Sequence, residues 1–189
     1  MQRNTMLPLQ GHLLAHIVRA ALLIGSLWSA FNGNAGIGAL LIVSLIASLI
    51  VFEITRRAFG ITGAWLDLLF ALLVAFDNLF GLALGFYATV PYWDVATHYT
   101  TSIFLAVSAL VLAERAYPPL ITQAPKPTIV AALVLFALGL GALWELGEYA
   151  SDILRATTFQ KSLDNTMQDL FVDLIAGLIV GVAWANRKT

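Results

Sequence analysis

Three groups of residues combine reactive side-chain types with helical spacing. Asp94 and His98 stand at i and i+4, Glu145, Glu148 and Asp152 at i, i+3 and i+7, and Asp169 and Asp173 at i and i+4 shortly after Asp164. On an α-helix each set lies along one face. Several carboxylates with one imidazole form a donor set for a divalent cation: oxygen ligands suit Mg2+, Mn2+ or Ca2+, and the imidazole also admits Zn2+ or Fe2+. A metal so held polarises a phosphoryl oxygen or acidifies a bound water. The expected metal ligands are therefore Asp94, His98, Glu145, Glu148, Asp169 and Asp173, with Asp77, Asp152 and Asp164 as additional polar positions.

Simpler roles compete for some of these residues. Asp94 and Asp164 fall where helices should begin, and aspartate there is an ordinary cap favoured by the helix dipole. Glu145, Glu148 and Asp152 fall at a C-terminal end, where the dipole disfavours anions, so capping does not account for them. Asp152 alone could belong to a solvated face. A lone His98 would read as a packing residue, and its spacing from Asp94 is what raises it to a candidate ligand.

The elements that must carry these stripes follow from composition. Of 189 residues, 60% are apolar and 11% charged, and the mean hydropathy is +0.86. A soluble domain is roughly a quarter charged, so the chain is read as an integral membrane protein. A hydrocarbon core about 30 Å thick needs roughly 20 apolar residues per helix. Six such stretches occur, at about 12–31, 36–55, 65–87, 94–115, 128–150 and 166–186. Asn32-Gly33-Asn34 forms a turn, Arg56-Arg57 stops the second span, Pro91 precedes the fourth, and Pro118-Pro119 with Pro125-x-Pro127 flank a longer polar loop. The expected fold is an all-α bundle of six transmembrane helices forming a single domain over 1–189.

Charge distribution orients that bundle. Lys and Arg total 10 against 11 Asp and Glu, a formal charge of −1, which gives no hint of a nucleic-acid partner. On the six-span topology, however, Arg3, Arg56, Arg57, Arg115, Lys126, Arg187 and Lys188 share one side, and only Arg155 and Lys161 take the other. Basic residues are retained in the cytoplasm, so both termini are expected there. Asp94, Glu145, Glu148, Asp152, Asp164, Asp169 and Asp173 then gather at the extracytoplasmic ends, with Asp77 midway along the third span. Ionised groups near hydrocarbon cost several kcal/mol unless compensated. Protonation or a bound cation is required. Glycines continue two of the stripes, as Asp169, Asp173, Gly177, Gly181 and as Asp77, Gly81, Gly85, and small residues permit close helix approach in membranes.

The remaining charges read as structural. Glu53 is placed to pair with Arg56 and Arg57, Asp67 opens the third span as a cap, and His12, His16 and Arg19 form an interfacial stripe with a snorkelling arginine. Trp65, Tyr92, Trp93, Tyr99, Trp144, Tyr149 and Trp184 fit aromatic belts. The chain has no cysteine, which excludes disulfides, thiolate nucleophiles and iron–sulfur ligation. No cleavable signal sequence is expected, and no Gly-x-Ser-x-Gly elbow or phosphate-binding loop occurs in the sequence. Glu145-x2-Glu148 replaces the Glu-x2-His motifs of a di-iron centre.

Taken in order, Asp94-x3-His98, Trp144-Glu145-x2-Glu148 and Asp164-x4-Asp169-x3-Asp173-x3-Gly177 resemble the YjdF-like family of small bacterial inner-membrane proteins, over residues 91–181. More distantly they resemble the VanZ-like proteins. The resemblance implies a multi-pass protein of the bacterial cytoplasmic membrane and marks Asp94, His98, Glu145, Glu148, Asp164, Asp169 and Asp173 as signature polar positions. The segment from Ile153 to Leu163 departs from the family in lacking a glycine-rich lead-in.

The leading expectation is thus a divalent-metal site at the extracytoplasmic mouth, acting on a lipid-linked or membrane-confined substrate. Two alternatives stand beside it: a non-catalytic membrane subunit or assembly factor, and an ion- or proton-coupled carrier using Asp77 with Asp173. The surrounding partner is the lipid bilayer, and the pattern is compatible with a homo-oligomer or a membrane-protein partner.

Overall fold

A turn at Asn32-Gly33-Asn34 requires one residue in the left-handed region, and Gly33 supplies it with φ +83°. The Asn34 amide closes the turn on the Ser29 carbonyl at 2.9 Å. This computed structural model describes residues 6–155 and 158–187. Arg3 and Lys188 of the charge count lie outside the described residues, as does the side chain of Arg155.

Among the described residues the fold is wholly helical. The helices are α1 (Met6–Phe31), α2 (Ala35–Val74), a π-helical segment (Ala75–Ala83), α3 (Phe86–Thr89), α4 (Trp93–Ala116), α5 (Pro118–Gln123), α6 (Lys126–Arg155) and α7 (Leu163–Ala185). Six stretches are long and apolar enough to cross a membrane: Gln10–Phe31, Ala35–Arg57, Gly63–Ala83, Trp93–Ala116, Lys126–Leu154 and Leu163–Ala185. The chain divides into two compact units, Met1–Trp93 and Asp94–Thr189, each with three of these stretches.

In the N-terminal unit the second span ends at Arg57, where Arg56-Arg57 was expected to stop it, and α2 runs on into the third span. It cannot be straight. Ser48 and Asp67 would stand ~28 Å apart on a straight helix, yet both hydrogen-bond to the Arg19 guanidinium. The reversal falls between Thr55 and Gly63, where a side chain at Gly63 would collide with the Thr55 carbonyl. The folded-back limb packs Leu68 and Ala71 on Ala15, and Leu22, Leu41 and Ala75 form a second core. The third span ends at Ala83, short of the expected Tyr87, because Gly85 adopts φ +74° and breaks the helix.

The C-terminal unit packs α4, α6 and α7 around Ala106, Leu110, Ile129, Leu133 and Val180. Gly177 and Gly181 bring α7 against α6, since a side chain at either would strike the backbone at Leu133–Val134 or at Val130. The expected polar loop between Pro118 and Pro127 is instead mostly helical: Pro118 starts α5 and Pro127 sits in the first turn of α6, positions where the missing proline N–H is not needed. Ser162, not Asp164, caps α7, its side chain accepting from the Asn165 amide at 3.1 Å. Exposed Leu135, Leu146, Phe171 and Leu178 provide an apolar surface suited to the lipid tails of a bilayer.

Candidate functional site

Helix α4 lines up Asp94, His98 and Ser102, and α6 brings Glu145 and α7 brings Asp169 and Asp173 toward the same imidazole. His98 Nδ1 faces Asp173 Oδ2 at 3.3 Å, and His98 Nε2 faces Glu145 Oε1 at 3.4 Å. Both carboxylates are anchored from behind. Ser102 donates to Asp173 Oδ1 at 2.6 Å, and Thr166 donates to Glu145 Oε2 at 2.6 Å. Burial is nearly complete: Asp173 is inaccessible, Asp169 is 1% exposed, Glu145 6% and His98 8%.

Asp94, His98 and Asp169 each offer one ligand atom within 4.8 Å of the other two. Asp169 Oδ2 accepts from the Asn165 side-chain amide at 2.7 Å. Its other oxygen, Oδ1, is buried without a hydrogen-bond partner among the described residues. Asp94 meets the Lys161 ammonium at 2.9 Å. A glycine makes room for the innermost carboxylate, because a side chain at Gly141 would occupy the position of the Asp173 carboxyl group.

The structure therefore brings together Asp94, His98, Glu145, Asp169 and Asp173. Glu148 feels the charges of Glu145, Asp94 and His98 from the edge of that constellation, and among the described contacts none joins Asp152, Asp164 or Asp77 to it. Glu148 is half-buried and accepts from Trp144 Nε1 at 3.2 Å on its own helix. Asp152 receives the backbone amides of Phe159 and Gln160 at 2.8 and 2.9 Å. Asp164 is exposed in the first turn of α7. Asp77 belongs to the N-terminal unit, where its carboxylate accepts from the Tyr87 hydroxyl and, at 3.0 Å, from Asn78. Gly81 on the same stripe lies beneath the side chains of Tyr87 and Trp93.

Sequence reasoning missed Ser102, Gly141, Asn165 and Thr166. Spacing held a signal for each: Ser102 continues the Asp94 and His98 stripe, Gly141 precedes Glu145 by one turn, and Asn165 and Thr166 precede Asp169 by one turn.

The N-terminal unit corrects a second expectation. Arg19 does not snorkel; it is 3% exposed and pairs with the fully buried Asp67. Ser48 adds its hydroxyl at 3.0 Å and its carbonyl at 2.8 Å to the same guanidinium. His12 Nδ1 also approaches Asp67 at 3.0 Å. Asp67 is thus an internal counter-ion and not a helix cap. Glu53 pairs with Arg56 and Arg57 as its spacing indicated.

Six apolar helices with a buried carboxylate–histidine cluster define a polytopic membrane protein. More specifically, the chain belongs to the family described as "Predicted membrane protein (DUF2238)", whose model matches residues 12–189. It is similar to a Thermotoga maritima protein described as "Uncharacterized protein", at 32% identity over 122 residues, 61% of this chain and 59% of that protein. The chain thus spans about three fifths of the length of that relative. No solved structure matches.

Proposed function

We propose that the C-terminal unit holds a divalent metal ion between Asp94, His98 and Asp169, with Glu145 able to complete the set. The observation that carries this reading is Asp169 Oδ1. Burying a carboxylate oxygen without a partner is expensive, and this one belongs to a residue whose ligand atom lies close to an imidazole and a second carboxylate. Oxygen-rich donors with a single nitrogen fit Mn2+, Mg2+ or Fe2+, and Zn2+ or Ca2+ with rearrangement. In this reading Asp173 is not a ligand, contrary to the expectation from sequence. It orients the imidazole from Nδ1, as carboxylates behind metal-bound histidines do, and Ser102 fixes Asp173 in turn. Bound metal would supply Lewis-acid chemistry, and the substrate class we propose is a lipid-linked or otherwise membrane-confined molecule.

A second reading is favoured by the two carboxylates that flank His98: an imidazolium held between Glu145 and Asp173 would staple three helices in a non-catalytic subunit. Thermal unfolding in detergent with and without Mn2+, together with elemental analysis, separates the two. The metal reading expects bound metal in the purified protein, stabilisation by Mn2+, and loss of both in Asp169→Asn. An imidazolium staple expects neither metal nor a Mn2+ effect, and greater stability in Asp169→Asn because a buried, incompletely paired negative charge is removed.

We infer further that this is a YjdF-like protein forming one transmembrane domain of a bacterial cytoplasmic membrane, with the cluster on the extracytoplasmic side. The support is the distribution of Lys and Arg between the two sides. The cysteine-free sequence makes this directly testable. A cysteine placed by Thr158→Cys should react with an impermeant maleimide in intact cells, and one placed by Arg187→Cys only after permeabilisation. The reverse pattern inverts the topology.

A further inference from the structure

The Asp94 carboxylate has a cationic partner within the chain, and that partner sits on a strap. Residues 158–162 run between α6 and α7 without helical structure. Each part of the strap is tied to the candidate site or to its flank. Asp152 accepts both the Phe159 and Gln160 amides. Gln160 Nε2 lies 3.3 Å from the Thr166 hydroxyl, which itself donates to Glu145. Lys161 Nζ reaches Asp94 Oδ2 at 2.9 Å, with the lysine side chain 49% and the aspartate 13% exposed. Two carboxylates, Asp152 and Asp94, thus hold this five-residue segment directly, and Glu145 is linked to it through Thr166.

We propose that Lys161 is a tethered competitor for the metal: its ammonium neutralises Asp94 until a divalent cation takes that carboxylate and displaces the lysine. This rests on the metal reading above and adds to it the residue that tunes affinity. The physical basis is charge. An ammonium and a dication on one carboxylate repel each other at this distance, so each weakens the other's hold on Asp94. Because Lys161 is half-exposed, its departure returns it to water at little cost, whereas the buried Asp169 and His98 have no such route. The strap anchors at Asp152 and Gln160 keep the ammonium close, so it competes at high local concentration.

The test is Mn2+ titration by calorimetry on the full chain in detergent, comparing wild type, Lys161→Gln and Lys161→Arg. An exposed ion pair is worth up to about 1 kcal/mol, so Lys161→Gln should bind Mn2+ up to about fivefold more tightly. Lys161→Arg, which keeps the charge, should stay near wild type and shows that the strap still folds. In an Asp94→Asn background the Lys161→Gln effect should vanish, because there is no longer a shared anion. Equal Mn2+ affinity in wild type and Lys161→Gln overturns this inference and leaves the metal site standing. Tightening of equal size in the Asp94→Asn background also overturns it, as a general field effect. Absence of Mn2+ binding in every protein, with folding intact by circular dichroism, overturns both this inference and the metal site.

Discussion

Each unit of the molecule buries acid, but they neutralise it differently. In the N-terminal unit a single buried carboxylate, Asp67, meets a buried guanidinium, and Ser48 and His12 occupy the surrounding positions. Charge closes locally. In the C-terminal unit Glu145, Asp169 and Asp173 are buried with one imidazole, and the nearest ammonium is the half-exposed Lys161 on Asp94. Counting Asp94, four carboxylates face two bases, one of which is charged only when protonated. A buried cation built into the sequence signals a structural joint. A buried anionic excess has to be met by protonation or by a bound cation.

The comparison can be broken most forcefully at Arg19. Arg19→Met takes the guanidinium from Asp67 and leaves only the His12 imidazole beside it, and breaking a buried pair costs about 3–5 kcal/mol, measurable as loss of thermal stability in detergent. Adding Asp67→Leu should recover most of it, because the pair is then replaced by apolar packing. Asp169→Asn should do the opposite: no loss of intrinsic stability, but loss of the stabilisation that Mn2+ provides, about 2.7 kcal/mol at a concentration of 100 times Kd. If Asp169→Asn destabilises the protein as Arg19→Met does, the contrast between a joint and a site collapses. Gly141→Ala pushes a methyl group into the Asp173 carboxylate, and overpacking of this kind costs about 1–3 kcal/mol. It should also weaken Mn2+ binding, although glycine offers no ligand atom. Glu53→Gln removes an exposed ion pair with Arg56 and Arg57 and should leave thermal stability unchanged.

What the sequence disclosed follows from the range over which each interaction acts. Six spans were legible because hydrocarbon thickness imposes a length that no local detail can hide. Asp94 with His98 and Asp169 with Asp173 were legible because a helix converts a spacing of four into a shared face. The Arg19–Asp67 pair was not: its partners are 48 positions apart, and they meet only because α2 doubles back between Thr55 and Gly63. Without that reversal Arg19 reads as interfacial and Asp67 as a cap. Gly85 misled for a related reason, since a glycine spaced as in a packing stripe is equally a glycine that stops a helix by turning left-handed. Ser102 and Thr166 were invisible as residue types, because hydroxyls gain meaning here only from the carboxylates they hold.

The π-helical segment from Ala75 to Ala83 sets where the chain can change length. A π turn takes in one more residue than the α turn it replaces, so deleting one residue there can be absorbed by relaxation to α geometry. The same deletion within α6 or α7 turns every following side chain by about 100°, which would swing Glu145 or Asp169 away from His98. Relatives that differ in length by a single residue should therefore carry the difference in this segment and keep α4, α6 and α7 in register.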